Sequence, residues 1–237
     1  MAENSRHSSH PSIVCTVDVV LLTLRESRLE VLLVQRDKPP FEGAWALPGG
    51  FVHAQEDADT TASAMRVLKE KAGLESPYLE QLATFSGLAR DPRGWSIAVV
   101  YCALVPFEAL AKVLGGDSVN ATNTVRLQDA ASLSRLPFDH DAMVAAALAR
   151  VRSKSQYSSL PVHLCGAEFT LPQLQQIYEV VLGEPVNKVS FRRKMEELDM
   201  LEPVPGAMRG GAAHRPAQLY RVREPFRSSL SLLARGL

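Results

Sequence analysis

The chain has 237 residues, 46% hydrophobic and 22% charged, and its 26 Lys and Arg balance its 26 Asp and Glu. This is an ordinary globular mix, long enough for two domains, and it excludes disordered, collagen-like and coiled-coil classes. Zero net charge excludes a uniform polycation, so a nucleic-acid partner has to be argued from local clustering.

The first twelve residues, MAENSRHSSHPS, are polar and lack the apolar core of a secretory signal, so residues 1–12 are expected to form a disordered tail. No apolar run approaches the roughly 18 residues of a membrane span. Cys15, Cys102 and Cys165 are odd in number and widely spaced, the pattern of small buried thiols in a reducing cytoplasm. A cytoplasmic protein with no membrane partner is expected.

Residues 13–152 read as mixed β and α. Ile13–Leu24 is β-rich, Arg25–Arg28 fits a hairpin turn, and Leu29–Val34 is a second strand. A loop containing Pro39 and Pro40 leads into Leu47–Gly50, after which Phe51 and Val52 resume a short strand. Thr60–Ala72 carries Ala62, Met65, Leu68 and Ala72 at helical spacing and stops at Gly73. Strands follow at Leu79–Phe85 and Ser96–Leu104, with a weaker stretch at Asn120–Leu127 and an alanine-rich helix from about Asp139 to Arg152.

Residues 153–160 are polar and turn-rich and are expected to be a linker. Residues 161–237 follow a different order. Thr170 caps a helix over Leu171–Leu182 that ends at Gly183, and a second helix runs from about Lys188 to Leu198. Leu201–Val204 and Ala217–Val222 read as short strands flanking the Gly-rich loop PGAMRGGAAHRP. Helix, turn, helix and hairpin is the order of a winged helix-turn-helix. Lys188, Arg192, Arg193 and Lys194 cluster on the second helix, and Arg209, His214 and Arg215 lie in the loop. The first group suits a recognition helix; a solvated basic face is the alternative reading.

Gly49–Leu74 resembles the Nudix box, which ends R-E-U-x-E-E-x-G-U, with U aliphatic. Anchored on Arg66, the box places Val67, Glu70 and Lys71 where Nudix enzymes carry three Glu on one helix face. Those carboxylates hold Mg²⁺ against a diphosphate. Here only Glu70 remains, and an ammonium replaces one carboxylate. The upstream Glu56 is ten residues before Arg66 rather than eight, where Ala58 sits. Glu56, Asp57 and Asp59 offer stray ligands but no helical array. The expectation is a retained scaffold with no catalytic residues, no required cofactor and no metal site. Arg66 and Glu70 are spaced to form an ion pair that braces loop and helix.

The segments Leu29–Val52, Arg90–Trp95, Phe138–His140, Phe169–Gly183, Ser190–Lys194 and Arg215–Tyr220, taken in order, resemble the NrtR family, Nudix-related transcriptional regulators of NAD metabolism. The resemblance implies an α+β protein: a Nudix-like α/β/α sandwich with a mixed sheet, followed by a winged helix-turn-helix. It implies a homodimeric repressor that binds a palindromic double-stranded operator and senses ADP-ribose. A diphosphate would be held by Arg36, Arg90 and Arg93, and adenine by Trp45 or Phe51. Glu70, Asp139 and His140 complete the implied effector site, although Asp139 also suits a helix cap. Lys188, Ser190, Arg192, Arg193, Arg209, His214 and Arg215 would meet DNA. An active ADP-ribose pyrophosphatase with a DNA-binding tail, and a regulator with another effector, remain as alternatives.

Overall fold

The computed structural model describes residues 13–76, 78–115, 124–211 and 214–227. The expected N-terminal tail, the start of the weak stretch at Asn120, and the side chains of His214 and Arg215 lie outside the described residues.

β1 (Val14–Arg25) and β2 (Arg28–Gln35) form the expected hairpin. Glu26 and Ser27 turn it with φ of 49° and 62°, the backbone hand that matches the twist of paired strands. β3 (Trp45–Ala46) pairs with β2, and β4 (Gly49–Phe51) pairs with β1. α1 (Thr60–Ala72) follows, then β5 (Tyr78–Gly87) and β6 (Ser96–Leu104). β6 lies parallel to β1, and every other pairing in the sheet is antiparallel. α2 (Phe107–Leu114) has no counterpart in the expected elements, and β7 (Val125–Asp129) adds to β2. The sheet order is β3-β2-β1-β6-β5.

Alternation along β1 builds the layers. Val17, Val19 and Leu21 pack with Ala64, Val67 and Leu68 of α1 and Leu110 of α2 on one face. Val20 and Leu22 pack on the other face with Met143, Val144, Ala147 and Val151 of α3 (His140–Ser155). The result is an α/β/α sandwich with helices on both faces of a mixed sheet.

α1 keeps its expected bounds because both ends are capped. Asp59 Oδ1 accepts from Ala62 N at 2.8 Å, and Gly73 takes the left-handed conformation that ends the helix. α4 (Leu171–Leu182) also matches its expected span: Thr170 and Gln173 form a capping box, and Gly183 closes it with φ of 78°. α5 (Lys188–Leu198) begins where Asn187 Oδ1 accepts from Val189 N and Ser190 N, both at 3.0 Å.

Three expectations need correction. The expected linker at 153–160 is part helix and part buried: α3 runs through Ser155, and Ser155, Ser158, Ser159 and Leu160 are buried, whereas Ser153, Gln156 and Tyr157 are exposed. Its polar groups are satisfied internally, Ser155 and Ser158 donating to carbonyls one helical turn back at 2.6 and 2.7 Å. The Gly-rich wing is mostly strand, β9 (Leu201–Gly211) against β10 (His214–Val222), with the two-residue β8 (Phe169–Thr170) as a third strand. Glycine removes the side-chain alternation that marks a strand, and register shifts in the ladder accommodate the irregular spacing. Cys15 is exposed rather than buried, whereas Cys102 and Cys165 are buried as expected.

The two parts are joined by packing. Ile177 and Val181 of α4 belong to the same apolar cluster as Val151 and Leu160. The buried Tyr178 hydroxyl donates to Ser158 O at 2.9 Å. A separate core of Phe169, Leu174, Tyr178, Phe191, Met195 and Met200 holds the helix-turn-helix together. Among the described residues, no helix is long and apolar enough to cross a membrane.

Candidate binding cleft and nucleic-acid interface

A cleft of about 350 Å³ opens where β1, the loop before β3, the start of α3 and the inner face of α1 meet. Arg36, Phe51, Glu70, Arg90, Arg93 and His140 line it together with Thr16, Asp18, Asp91 and Phe138. Trp45 does not line it. Its half-buried side chain packs against the core cluster that contains Leu47, with the Arg126 guanidinium 4.3 Å over the ring.

Phe138 is the central ring, although the sequence marks it only through the Phe138–His140 motif. Arg36 and Arg93 lie over it at 5.0 and 6.0 Å, and Phe41 meets its edge at 5.0 Å. Phe138 has φ of 58°, a strained position for an aromatic residue that the surrounding contacts enforce. Burial, followed by the neighbouring Arg93 charge, pushes the Arg36 guanidinium below its ordinary range. The Arg93 charge opposes that of Arg36, while Arg93 itself is held above its ordinary range by Asp91, so an anion entering the cleft would relieve Arg36 first. Arg36 Nε donates to Pro40 O at 2.7 Å, which fixes its direction. Arg93 is held by a bidentate contact to Asp91 and stacks over Phe51 at 5.0 Å.

Arg90 has a different job from the one expected. It is only 6% exposed; Nε and Nη2 grip the Asp139 carboxylate at 2.9–3.2 Å, and Nη1 donates to Ser96 Oγ at 2.9 Å. All three nitrogens are engaged, so Arg90 anchors α3 to the sheet rather than offering a free phosphate fork. Asp139 stands at the N-cap position of α3 but makes no side-chain cap; its carboxylate is committed to Arg90. His140 is buried, and its Nδ1 accepts from Leu47 N at 3.1 Å. Burial, aided by Arg90 and Arg36, pushes its pKa down to about 3, so the ring is neutral at physiological pH.

The Arg66 and Glu70 ion pair forms at 3.3 Å, but the stronger brace is Asp57, which Arg66 holds through Nε and Nη2, both at 2.8 Å. Arg66 also donates to Phe51 O at 2.9 Å, which ties the β4 edge to α1. The Arg66 fork, with Ser63 Oγ donating at 2.6 Å, holds the Asp57 carboxyl well below the usual carboxylate range. Asp57 and Asp59 are therefore structural, and the exposed Glu56 pairs with His53 at 3.0 Å.

At the other end of the molecule, α5 presents Lys188, Arg192 and Arg193 to solvent, with Ser190 partly exposed. Arg209 on β9 is also exposed. Lys194 is buried beside Phe191 and Met195, so it leaves the basic face. The turn before α5 is rigid: Glu179 Oε1 accepts from Val186 N at 3.1 Å and Gln175 Nε2 donates to Val186 O at 2.9 Å. A firmly seated second helix with cations on its outer face is the geometry of a major-groove reader.

A NUDIX domain matches residues 15–147, and an NrtR DNA-binding winged helix domain matches residues 161–222. The "ADPR responsive transcriptional repressor NtrR" of Acinetobacter baylyi is 42% identical over 90% of this chain and 84% of its own length. This chain belongs to the NrtR family. The NrtR of Shewanella oneidensis, crystallised with a 27mer DNA, superposes with a TM-score of 0.84 at 38% identity, covering 94% of this chain and 99% of that one. Its NUDIX domain complexed with ADP ribose matches at TM-score 0.53 and 34% identity, covering 63% of this chain and 99% of that one. An ADP-ribose pyrophosphatase of Methanocaldococcus jannaschii is 31% identical over 57% of this chain and 72% of its own length.

In this NrtR-family chain the carboxylate face of the Nudix helix does not fit Mg²⁺. Val67 is buried in the core, Glu70 is paired with Arg66, and Lys71 brings an ammonium to the same wall. Among the described residues, no three His, Cys, Asp or Glu side chains assemble into a metal-holding group. A cation at this wall would meet one shared carboxylate and a like charge, so no step is derived through a metal.

Proposed function

We propose that the protein is a dimeric DNA-binding repressor of NAD-metabolism genes whose cleft senses ADP-ribose without hydrolysing it. The observation that carries this reading is the placement of α3. Its first residue, His140, lines the cleft beside Phe138, Asp139 between them is tied to Arg90, and its last turns lie under α4. Sixteen helical residues make a rod of about 24 Å between the two sites. A diphosphate drawn to Arg36 and Arg93 sits against Phe138, the residue before Asp139, and can bias where α3 begins. Repositioning α3 moves the seat of α4, and with it the angle at which α5 meets a groove. The effector changes DNA affinity only by the difference in its affinity for the two arrangements. Two copies would place two α5 helices on the halves of a palindrome.

The likeness to a 42%-identical repressor named for its ADPR response supports the effector, and the ADP-ribose complex of the Shewanella NUDIX domain supports the cleft as its site. The test is a gel shift on promoter fragments of nicotinamide-salvage genes across micromolar to millimolar ADP-ribose. Operator affinity is expected to fall as ADP-ribose rises; unchanged affinity defeats the effector assignment. Incubation with Mg²⁺ and ADP-ribose is expected to release no AMP or ribose 5-phosphate above a mock preparation. Turnover abolished by Glu70→Gln would restore the hydrolase reading.

A further inference from the structure

The apolar run VDVVLLTL of β1 carries one charged residue, Asp18, at its second position. It faces the same side of the sheet as Val20 and Leu22, and its side chain is 9% exposed. A buried carboxylate costs free energy unless it is paired or used. Thr16 Oγ1 donates to Oδ2 at a long 3.3 Å. Among the described residues no hydrogen bond reaches Oδ1; the neutral His140 ring has its Nε2 3.7 Å away, beyond hydrogen-bond reach. Gly49 leaves the space beside Oδ1 clear, since a Cβ there would overlap it.

His140 is equally unfinished. Because its Nδ1 accepts from Leu47 N, the ring proton resides on Nε2. Nε2 lies 3.7 Å from the carboxylate oxygen, too far for a direct hydrogen bond. Both groups line the cleft, and Arg90, the cation nearest in influence on Asp18, is committed to Asp139 and Ser96. The pair therefore presents one acceptor and one donor, 3.7 Å apart, to whatever enters.

We propose that Asp18 and His140 together read one ribose hydroxyl of the bound nucleotide, the hydroxyl donating to Asp18 Oδ1 and accepting from His140 Nε2. The chemistry selects this group. A phosphate oxygen cannot donate to the carboxylate and would be repelled by it, and an exocyclic amine cannot accept from Nε2–H. A hydroxyl does both and bridges a gap of this width. The assignment rests on the ADP-ribose reading of the cleft and adds a specificity device to it: the arginines hold charge, and the Asp18 and His140 pair checks for sugar.

Calorimetric titration of the full chain tests this, using ADP-ribose and analogues lacking one ribose hydroxyl each, on wild type and on Asp18→Asn and Asp18→Ala. Both variants are expected to weaken ADP-ribose about ten- to a hundredfold, the worth of a hydrogen bond to a charged group. One deoxy analogue is expected to bind wild type comparably weakly and to lose nothing further on either variant. Thermal melting of Asp18→Asn at pH 7.5 is expected to match or exceed wild type, because a desolvated charge is removed. Wild-type affinity in both variants, or an equal further loss for every analogue, overturns the hydroxyl pair while leaving the cleft as the effector site. Absence of ADP-ribose binding by wild type overturns the effector reading and this inference with it.

Discussion

The arginines of the cleft and those of α5 are the same side chain used in two ways. In the Nudix domain, Arg66, Arg90 and Arg93 are each gripped at two points by Asp57, Asp139 and Asp91, and Arg90 is almost fully buried. On α5, Arg192 is exposed, and Arg193 is 71% exposed with only a loose 3.6 Å contact to Glu197. The first arrangement fixes geometry before a ligand arrives, which suits discrimination of a small molecule. The second leaves charge in water, where it can exchange counterions for phosphates at little structural cost. One chain thus holds a rigid reader and a solvated one, with α3 between them.

The widest separation between the two is expected in stability. Asp139→Ala leaves Arg90 buried without its counter-charge and should cost about 3–5 kcal/mol in urea unfolding. Arg192→Ala should change stability by no more than about 0.5 kcal/mol. Equal effects would erase the distinction.

Acid probes the buried side next. His140 and His163 have pKa values lowered to about 3 and about 4, chiefly by burial. Because the unfolded chain takes up a proton near the ordinary value of 6.5 while the folded chain does not, stability is full above that pH and is lost as pH falls. Asp18, raised to about 6 by burial, works in the opposite sense between about 6 and its ordinary value of 3.8, and offsets part of the loss. His163 stacks on Tyr78 at 4.9 Å, and its buried Nε2 has no hydrogen-bond partner among the described residues. His163→Phe keeps the stack and removes the titration, so by pH 4 the variant should retain about 3 kcal/mol that wild type loses. Parallel denaturation profiles from pH 7.5 to 4 would contradict this.

How much of this was legible in the sequence depended on local signals. The spans of α1, α4 and α5 were readable because Asp59, Gly73, Thr170, Gly183 and Asn187 place chemical stops at their ends. α2 escapes a sequence reading because eight residues after Pro106 barely complete two turns of periodicity. The basic face of α5 was legible, but Lys194 was not separable from it, since burial by Phe191 and Met195 is a tertiary fact. In the cleft, Arg36, Phe51, Glu70, Arg90, Arg93 and His140 are expected from the sequence and are brought together by the fold. Their roles were not readable, because whether an arginine is free or committed depends on Asp139 lying 49 residues away. Asp18 was hidden in an apolar strand, and its isolation among valines and leucines was the available clue.

The subtlest expectation concerns salt. Removing one phosphate-binding cation should lower the slope of log affinity against log salt by about 0.9. Arg192→Ala and Arg193→Ala, measured separately by fluorescence anisotropy on an operator duplex between about 50 and 200 mM salt, should each flatten the slope by roughly that amount and weaken binding across sequences. Arg193 has the Glu197 pairing to give up first, an exposed i, i+4 pair worth about 0.3–0.5 kcal/mol, so the drop in affinity should be slightly the smaller of the two. Asp139→Asn, compared at the same salts, should leave the slope unchanged even if affinity shifts, because it acts through α3 and touches no phosphate. An altered slope in Asp139→Asn, or unaltered slopes in both arginine variants, would mean that the charge meeting DNA lies elsewhere than on α5.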